Sequence, residues 1–190
     1  VGTSDEYAAR PAADREEPYE RVTVYVGNNL AAFDEGVREN ADTVVKPAGE
    51  FWVTYAGTLG ASYDLSTLVQ AAKLAEPQVS GLRVKILGDG PDRDKLTELA
   101  SSIGAPVDFL GYTPYERMAA WLAASDITVN SLVHGAAQSI VTKIGDYLAA
   151  GIPMINTGES PEFCAKVEAD GFGVNVAPGN ASELTQAIVK

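Results

Sequence analysis

Gln138-Ser-Ile-Val-Thr-Lys143-Ile-Gly-Asp146-Tyr-Leu-Ala-Ala-Gly151-Ile-Pro153-Met-Ile-Asn156 decides how this chain is read. A loop runs into a helix predicted over 139–150, Gly151 stops it, and Pro153–Asn156 enters a buried strand. On a helical wheel Ile140, Ile144, Tyr147 and Leu148 share one face, while Thr142, Lys143 and Asp146 share the other. Ser139 is placed to cap the helix, which would leave the amides of Ile140, Val141 and Thr142 open at its start. Open amides at a helix start suit a phosphate-bearing ligand. Gln138 and Asp146 bracket the first two turns. The simpler reading makes Lys143 and Asp146 an exposed i,i+3 pair worth at most ~0.5 kcal/mol.

Working outward, short apolar runs alternate with amphipathic stretches from residue 51 onward. Strands are predicted at Phe51–Ala56, Arg83–Leu87, Val107–Leu110, Asp126–Asn130, Pro153–Asn156 and Gly173–Val176. Helices are predicted at 64–74, from Pro91 to about 102, from 113 to 124, 139–150, 160–170 and 181–190. Asp89 is expected to cap the second of these. Six strands alternating with helices define an α/β fold: a doubly wound, Rossmann-like parallel sheet of about six strands flanked by helices. Right-handed crossovers bring loops 57–63, 88–91, 111–114, 131–139 and 157–160 to one rim, where ligands of such folds bind. Residues 1–20 are polar and acidic and read as a flexible arm or linker, and 21–190 as one domain. Arg21–Val26 reads as a further strand and Leu30–Asn40 as a short helix. Trp52 and Trp121 read as core or domain-edge aromatics.

Composition removes several functions. The chain has 190 residues, 46% hydrophobic and 21% charged, as expected of a globular domain. No apolar run approaches the ~20 residues of a membrane span. Val1-Gly-Thr-Ser-Asp-Glu has neither the basic end nor the apolar stretch of a signal peptide. Without an initiator Met, the chain is expected to be part of a longer protein. One cysteine, Cys164, allows no internal disulfide and fits a reducing compartment. One histidine, His134, allows no two-histidine metal site. A net charge of −12 opposes nucleic-acid binding, so an anionic ligand must be held by local amides and a few placed cations.

Together the rim loops resemble the donor-binding, C-terminal domain of family 4 retaining glycosyltransferases of the GT-B fold. The resemblance rests on Tyr55-Ala-Gly-Thr-Leu-Gly60, Gly88-Asp-Gly-Pro91, Phe109-Leu-Gly-Tyr112, Ser125-Asp126 before Asn130-Ser131, the Gln138…Asp146 helix with Ala149-Ala-Gly-Ile-Pro153, and Gly171-Phe-Gly173 with Ala177-Pro-Gly-Asn180. Val26-Gly-Asn-Asn-Leu30 through Phe33-Asp34 matches the family's entry into this domain. The resemblance covers residues 21 to 190 and implies a nucleotide-diphosphate sugar, UDP- or GDP-linked, as donor. It implies transfer of a hexosyl group to a glycan or lipid-linked acceptor, with retention of configuration and no metal or other cofactor. The donor phosphate would help deprotonate the acceptor. Carried over residue by residue, Asp146 would accept from a ribose hydroxyl and Gln138 would touch the donor sugar. Gly57, Thr58 and Gly60 would approach the diphosphate, Gly111 and Tyr112 the base, and His134 would lie in the loop leading to the sugar. Ser139, Ile140, Val141, Thr142 and Lys143 would hold the phosphates. No residue of this half is assigned as catalytic.

Two departures stand out. The family's pair of glutamates is replaced by Gln138 and Asp146, and its Arg/Lys diphosphate clamp by Thr58 and Tyr63-Asp64. The acceptor-binding N-terminal domain is absent, so this half alone is expected to bind donor weakly and transfer nothing. The whole enzyme is expected to be cytoplasmic, serving polysaccharide biosynthesis and touching the inner membrane face only through the absent half. Two other readings stay open: a non-catalytic binding module on a decayed transferase fold, and a nucleotide-sugar 2-epimerase. A dinucleotide oxidoreductase fits least, because Gly57-Thr-Leu-Gly60 lacks Gly-x-Gly-x-x-Gly.

Overall fold

A computed structural model describes residues 1–11, 20–136 and 140–190. Its elements run α1 (Asp5–Ala9), α2 (Leu30–Glu39), β1 (Phe51–Ala56), α3 (Leu65–Ala75), β2 (Leu82–Leu87), α4 (Arg93–Ile103), β3 (Val107–Gly111), α5 (Tyr115–Ala123), β4 (Ile127–Asn130), α6 (Ile144–Ala149), β5 (Met154–Asn156), α7 (Pro161–Ala169), β6 (Gly173–Asn175) and α8 (Ala181–Val189). All six strands are parallel, in the order β3-β2-β1-β4-β5-β6. The doubly wound sheet is therefore as the sequence predicts, and its order reverses between β1 and β4.

Strand periodicity distributes the core. Val53 and Tyr55 of β1, with Val84 and Ile86 of β2, face α3, α4 and α8 through Leu65, Leu68, Val69, Leu96, Leu184 and Ile188. Ala56 and Leu87 face the other layer, where Phe33, Leu122, Tyr147, Phe163 and Val167 come from α2, α5, α6 and α7. The helix starts follow ordinary capping chemistry. Asp64 accepts from the Thr67 amide, Asn180 from Glu183, and Ser160 from Phe163 with Pro161 in the first turn. Trp52 is a core residue stacked on Trp121 at 4.9 Å, with Lys85 Nζ 4.6 Å from its ring centre.

Four expectations need correction. Arg21–Val26 forms no strand; a lone bridge pairs Gly2 with Thr23, and Val22, Val24 and Val26 are exposed. Within the stretch read as an arm, Asp5–Ala9 is helical and docked: the amides of Asp5 and Glu6 donate to the Glu162 carboxylate. Helix α4 starts at Arg93, two residues after Pro91, and Asp89 does not cap it. Its carboxylate instead accepts from the Gly90 amide and the Arg93 guanidinium. The helix predicted over 139–150 is regular only from Ile144, preceded by tight turns in which Ile144 N donates to Val141 O and Gly145 N to Thr142 O. Ile140, Val141 and Thr142 therefore lie in the turns ahead of the regular helix rather than in its first turn.

Candidate functional site at the sheet reversal

The ladder between β1 and β4 pairs only Val53 with Ile127 and Thr54 with Thr128. Beyond Thr54 the β1–β4 pairing ends, and the carboxyl ends of the strands are the location expected of ligand sites in this topology. This leaves the buried Ala56 amide facing β4 without a strand partner; Gly57, next along, donates to Leu87 O on the β2 side. The Tyr147 hydroxyl, from α6, accepts from Ala56 N at 2.9 Å and lies near Ala56 O and Val129 O. Burial raises the Tyr147 pKa, so the phenol stays protonated.

Backbone bonds stitch the rim loops together. Leu59 N donates to Asp89 O, Asp92 N to Leu59 O and Gly88 N to Gly111 O. On the far side Val133 N donates to Ser62 O and Ser131 Oγ to Asp64 O. The crevice over β1–β3 has a volume of about 310 Å³, lined by Gly57, Thr58, Gly88, Asp89, Tyr112 and Met118 among others. Gly57 (φ 149°) and Gly88 (φ 130°) occupy backbone conformations closed to L side chains, and a Cβ on Gly88 would strike Gly57 O. A larger cavity of about 710 Å³ lies at the opposite sheet edge. Its walls are mainly apolar, and its Asp126 is already taken by Lys46 and the Trp52 amide.

Lys143 is the notable side chain. Its Nζ is sealed from solvent and has no hydrogen-bond partner. It sits 4.0 Å from the ring centres of both Tyr55 and Tyr63, which meet edge to face. A Cβ on Gly57 would lie 2.7 Å from this nitrogen. Burial lowers the Lys143 pKa to about 7. The Tyr55 hydroxyl donates to Thr58 O at 2.8 Å, so the cage and the loop above it are one unit.

Asp146 is half-buried beside the rim, its Oδ1 2.5 Å from Asn28 Nδ2, with Tyr115 OH also bonded to it. Burial raises its pKa and outweighs these two hydrogen bonds. Among the expected site residues, Gly57, Thr58, Tyr112 and Lys143 gather around the crevice. Gly111 borders it beside the Arg93 guanidinium, 3.6 Å from where a Cβ would stand. Gly60 packs on Pro91. His134 is exposed and paired with Glu159 at 2.9 Å, and the Gly135 amide helps hold that carboxylate below its ordinary pKa. Ile140 and Val141 pack in the α6 layer, and Thr142 is exposed. Gln138 and Ser139 lie outside the described residues. Sequence reasoning missed Asn28, Arg93, Tyr115 and the tyrosine cage. Tyr63 was visible only as a departure from a pattern.

Among the described residues no helix is long and apolar enough to cross a membrane, and no group of three His, Cys, Asp or Glu side chains could hold a metal. The chain is 30% identical over 125 residues to the lipopolysaccharide core biosynthesis glycosyltransferase LpsE of Rhizobium meliloti, an alignment covering 64% of this chain and 34% of that protein. Among solved structures, Anabaena Alr3699/HepE in complex with UDP superposes with a TM-score of 0.71 at 19% identity, over 88% of this chain and 46% of that one. WaaG, a glycosyltransferase involved in lipopolysaccharide biosynthesis, gives 0.70 at 15% identity, over 98% and 51%. The chain thus spans about a third of its curated relative and half of these structures. The family described as glycosyl transferases group 1 matches residues 50–190, so the chain belongs to that family.

Proposed function

We propose that the crevice at the carboxyl ends of β1–β3 binds a nucleotide-diphosphate sugar, and that this chain is the donor-binding half of a retaining hexosyltransferase. The observation that carries the reading is the crevice itself: side-chain-free backbone at Gly57 and Gly88, a buried ammonium behind it, and Tyr112, 80% exposed, at its mouth. A diphosphate lies over Gly57–Thr58, the base against Gly111–Tyr112, and the ribose toward Asp146. The donor class draws support from a structural neighbour solved with UDP-glucose. Transfer then needs no metal: the donor phosphate draws the acceptor proton while configuration is retained. The acceptor, a glycan or lipid-linked saccharide, and any contact with the inner membrane face belong to the other half of the protein.

Calorimetry or ligand-detected NMR with UDP-, GDP- and ADP-sugars tests this. Binding of one class in the micromolar to millimolar range is expected. No binding by any of them at millimolar concentration rejects the reading. Asp146, already engaged by Asn28 and Tyr115, favours the alternative of a non-catalytic binding module. That alternative gains if nucleotide sugars bind but the chain joined to its upstream sequence turns none over.

A further inference from the structure

Several cations on this acidic chain are claimed by its own carboxylates. Lys46 pairs with Asp126, Lys73 with Glu76, Arg83 and Lys85 with Asp108, and Arg93 with Asp89. Lys143 is different. Among the described residues it is the one cationic group whose buried nitrogen lacks a hydrogen-bond partner. A bare ammonium in an apolar niche is costly, and two ring faces offset only part of that cost.

The groups around it explain its isolation. On β1, Tyr55 spends its hydroxyl on Thr58 O. Ahead of α3, Tyr63 presents its ring, and Asp64 spends its carboxylate on the Thr67 amide and Ser66 hydroxyl. On α6, Tyr147 is bound at Ala56 and Asp146 is held by Asn28 and Tyr115. Across the crevice Asp89 and Arg93 hold each other. No carboxylate contributes to the state of Lys143; burial alone sets it. The nitrogen abuts Gly57, a wall of the crevice, where any side chain would press on it.

We propose that Lys143 is the cation of a phosphate subsite at Gly57–Thr58, and that it acquires its proton together with the phosphate, so that donor binding takes up a proton from solvent. The proposal rests on the donor-binding reading and replaces the absent cation of the β1 loop by one delivered from α6. With the empty-site amine near neutrality at pH 7, a bound dianion restores the charged form.

The test uses the 190-residue chain and UDP-glucose, whose diphosphate does not titrate between pH 6.5 and 8.5. Calorimetry at pH 8 in two buffers of different ionisation enthalpy should show uptake of ~0.9 proton per ligand, and affinity should be about fifteenfold weaker at pH 8.5 than at pH 7. Lys143→Met should bind more weakly at pH 7 and lose both the uptake and the pH dependence. Its melting curve reports folding, and the wild-type proton count needs no variant. UDP-glucose binding without proton uptake, or with the same pH profile in Lys143→Met, overturns the proposal while sparing the donor-binding reading. Failure of wild type to bind any nucleotide sugar removes both.

Discussion

Replacing Tyr147 by Phe tests whether α6 closes the gap where β1 and β4 part. The ladder between those strands ends at Thr54 and Thr128, yet Ala56 is 3% exposed and its amide points into the gap. The Tyr147 hydroxyl, 2.9 Å away, is its partner. Phe keeps the ring and its packing, so the perturbation is the loss of one oxygen. A buried amide left unpaired costs about 1–3 kcal/mol. For a chain of this size that is a fall in Tm of about 2–12 °C. Urea unfolding followed by the fluorescence of the stacked pair Trp52 and Trp121 measures it. The slope should be unchanged and the midpoint lower. Exchange of the Ala56 amide should accelerate more than that of Val53, which lies within the paired ladder. A variant within about 0.5 kcal/mol of wild type, inside the ordinary range of surface substitutions, with Ala56 exchange unaltered, would refute the reasoning.

Three further outcomes are expected. Gly57→Ala forces a residue at φ 149° and sets a methyl 2.7 Å from Lys143 Nζ; a loss of about 1–3 kcal/mol should accompany it, with Lys143 titrating nearer its ordinary value by NMR, and a titration still near 7 would contradict the cage geometry. Asn156 is wholly buried and joins Asn130, Asn175 and the Gly158 backbone across β4, β5 and β6; Asn156→Ala should cost at least ~2 kcal/mol in denaturant melts, and a smaller loss would mean the ladder is dispensable. The folded Lys143 pKa of about 7 lies below its unfolded value of 10.5. The unfolded chain therefore holds more protons between those values, and the penalty for burying Lys143 is full below pH 7 and fades as pH rises. Stability should gain up to ~1.4 kcal/mol per pH unit from this group. Lys143→Met should be the more stable protein at pH 7, and the difference should shrink at pH 9; a constant difference would rule this out.

Much of the fold was legible because most strands are short apolar runs flanked by Gly, Pro, Asp or Ser, and α3, α7 and α8 begin at the caps Asp64, Ser160 and Asn180. The reading failed where local pattern and tertiary demand diverge. Val22, Val24 and Val26 alternate like a strand but find no partner strand. Ile140 and Val141 continue the apolar stripe of α6, yet they pack into the layer ahead of the regular helix. The crevice glycines were visible as punctuation. The cage was not, because Tyr55, Tyr63 and Lys143 are 8 and 80 residues apart in pairs and nothing local links them. Placing Lys143 on a polar helix face was reasonable for its period. The simpler alternative of an exposed Lys143–Asp146 pair fails, because the Lys143 nitrogen is buried against Tyr55 and Tyr63 while Thr142 on the same face is exposed.

The shortened helix and the buried lysine have one origin in the topology. Where the order of a parallel sheet reverses, neighbouring strands lead to helices on opposite faces, and their carboxyl ends diverge. Here α6 fills the divergence from below: Tyr147 satisfies Ala56, and Lys143, at the position before the first helical residue, abuts Gly57. The surrounding charge then matters. With 26 acidic side chains to 14 basic ones, a cation on the open rim is readily neutralised by its own chain, as Arg93 is by Asp89. A lysine walled by two phenol rings, with the nearby carboxylates of Asp64 and Asp146 committed elsewhere, is not neutralised by its own chain. If the proposed subsite holds a diphosphate, it does so without a cationic surface that the chain's own aspartates and glutamates would occupy first.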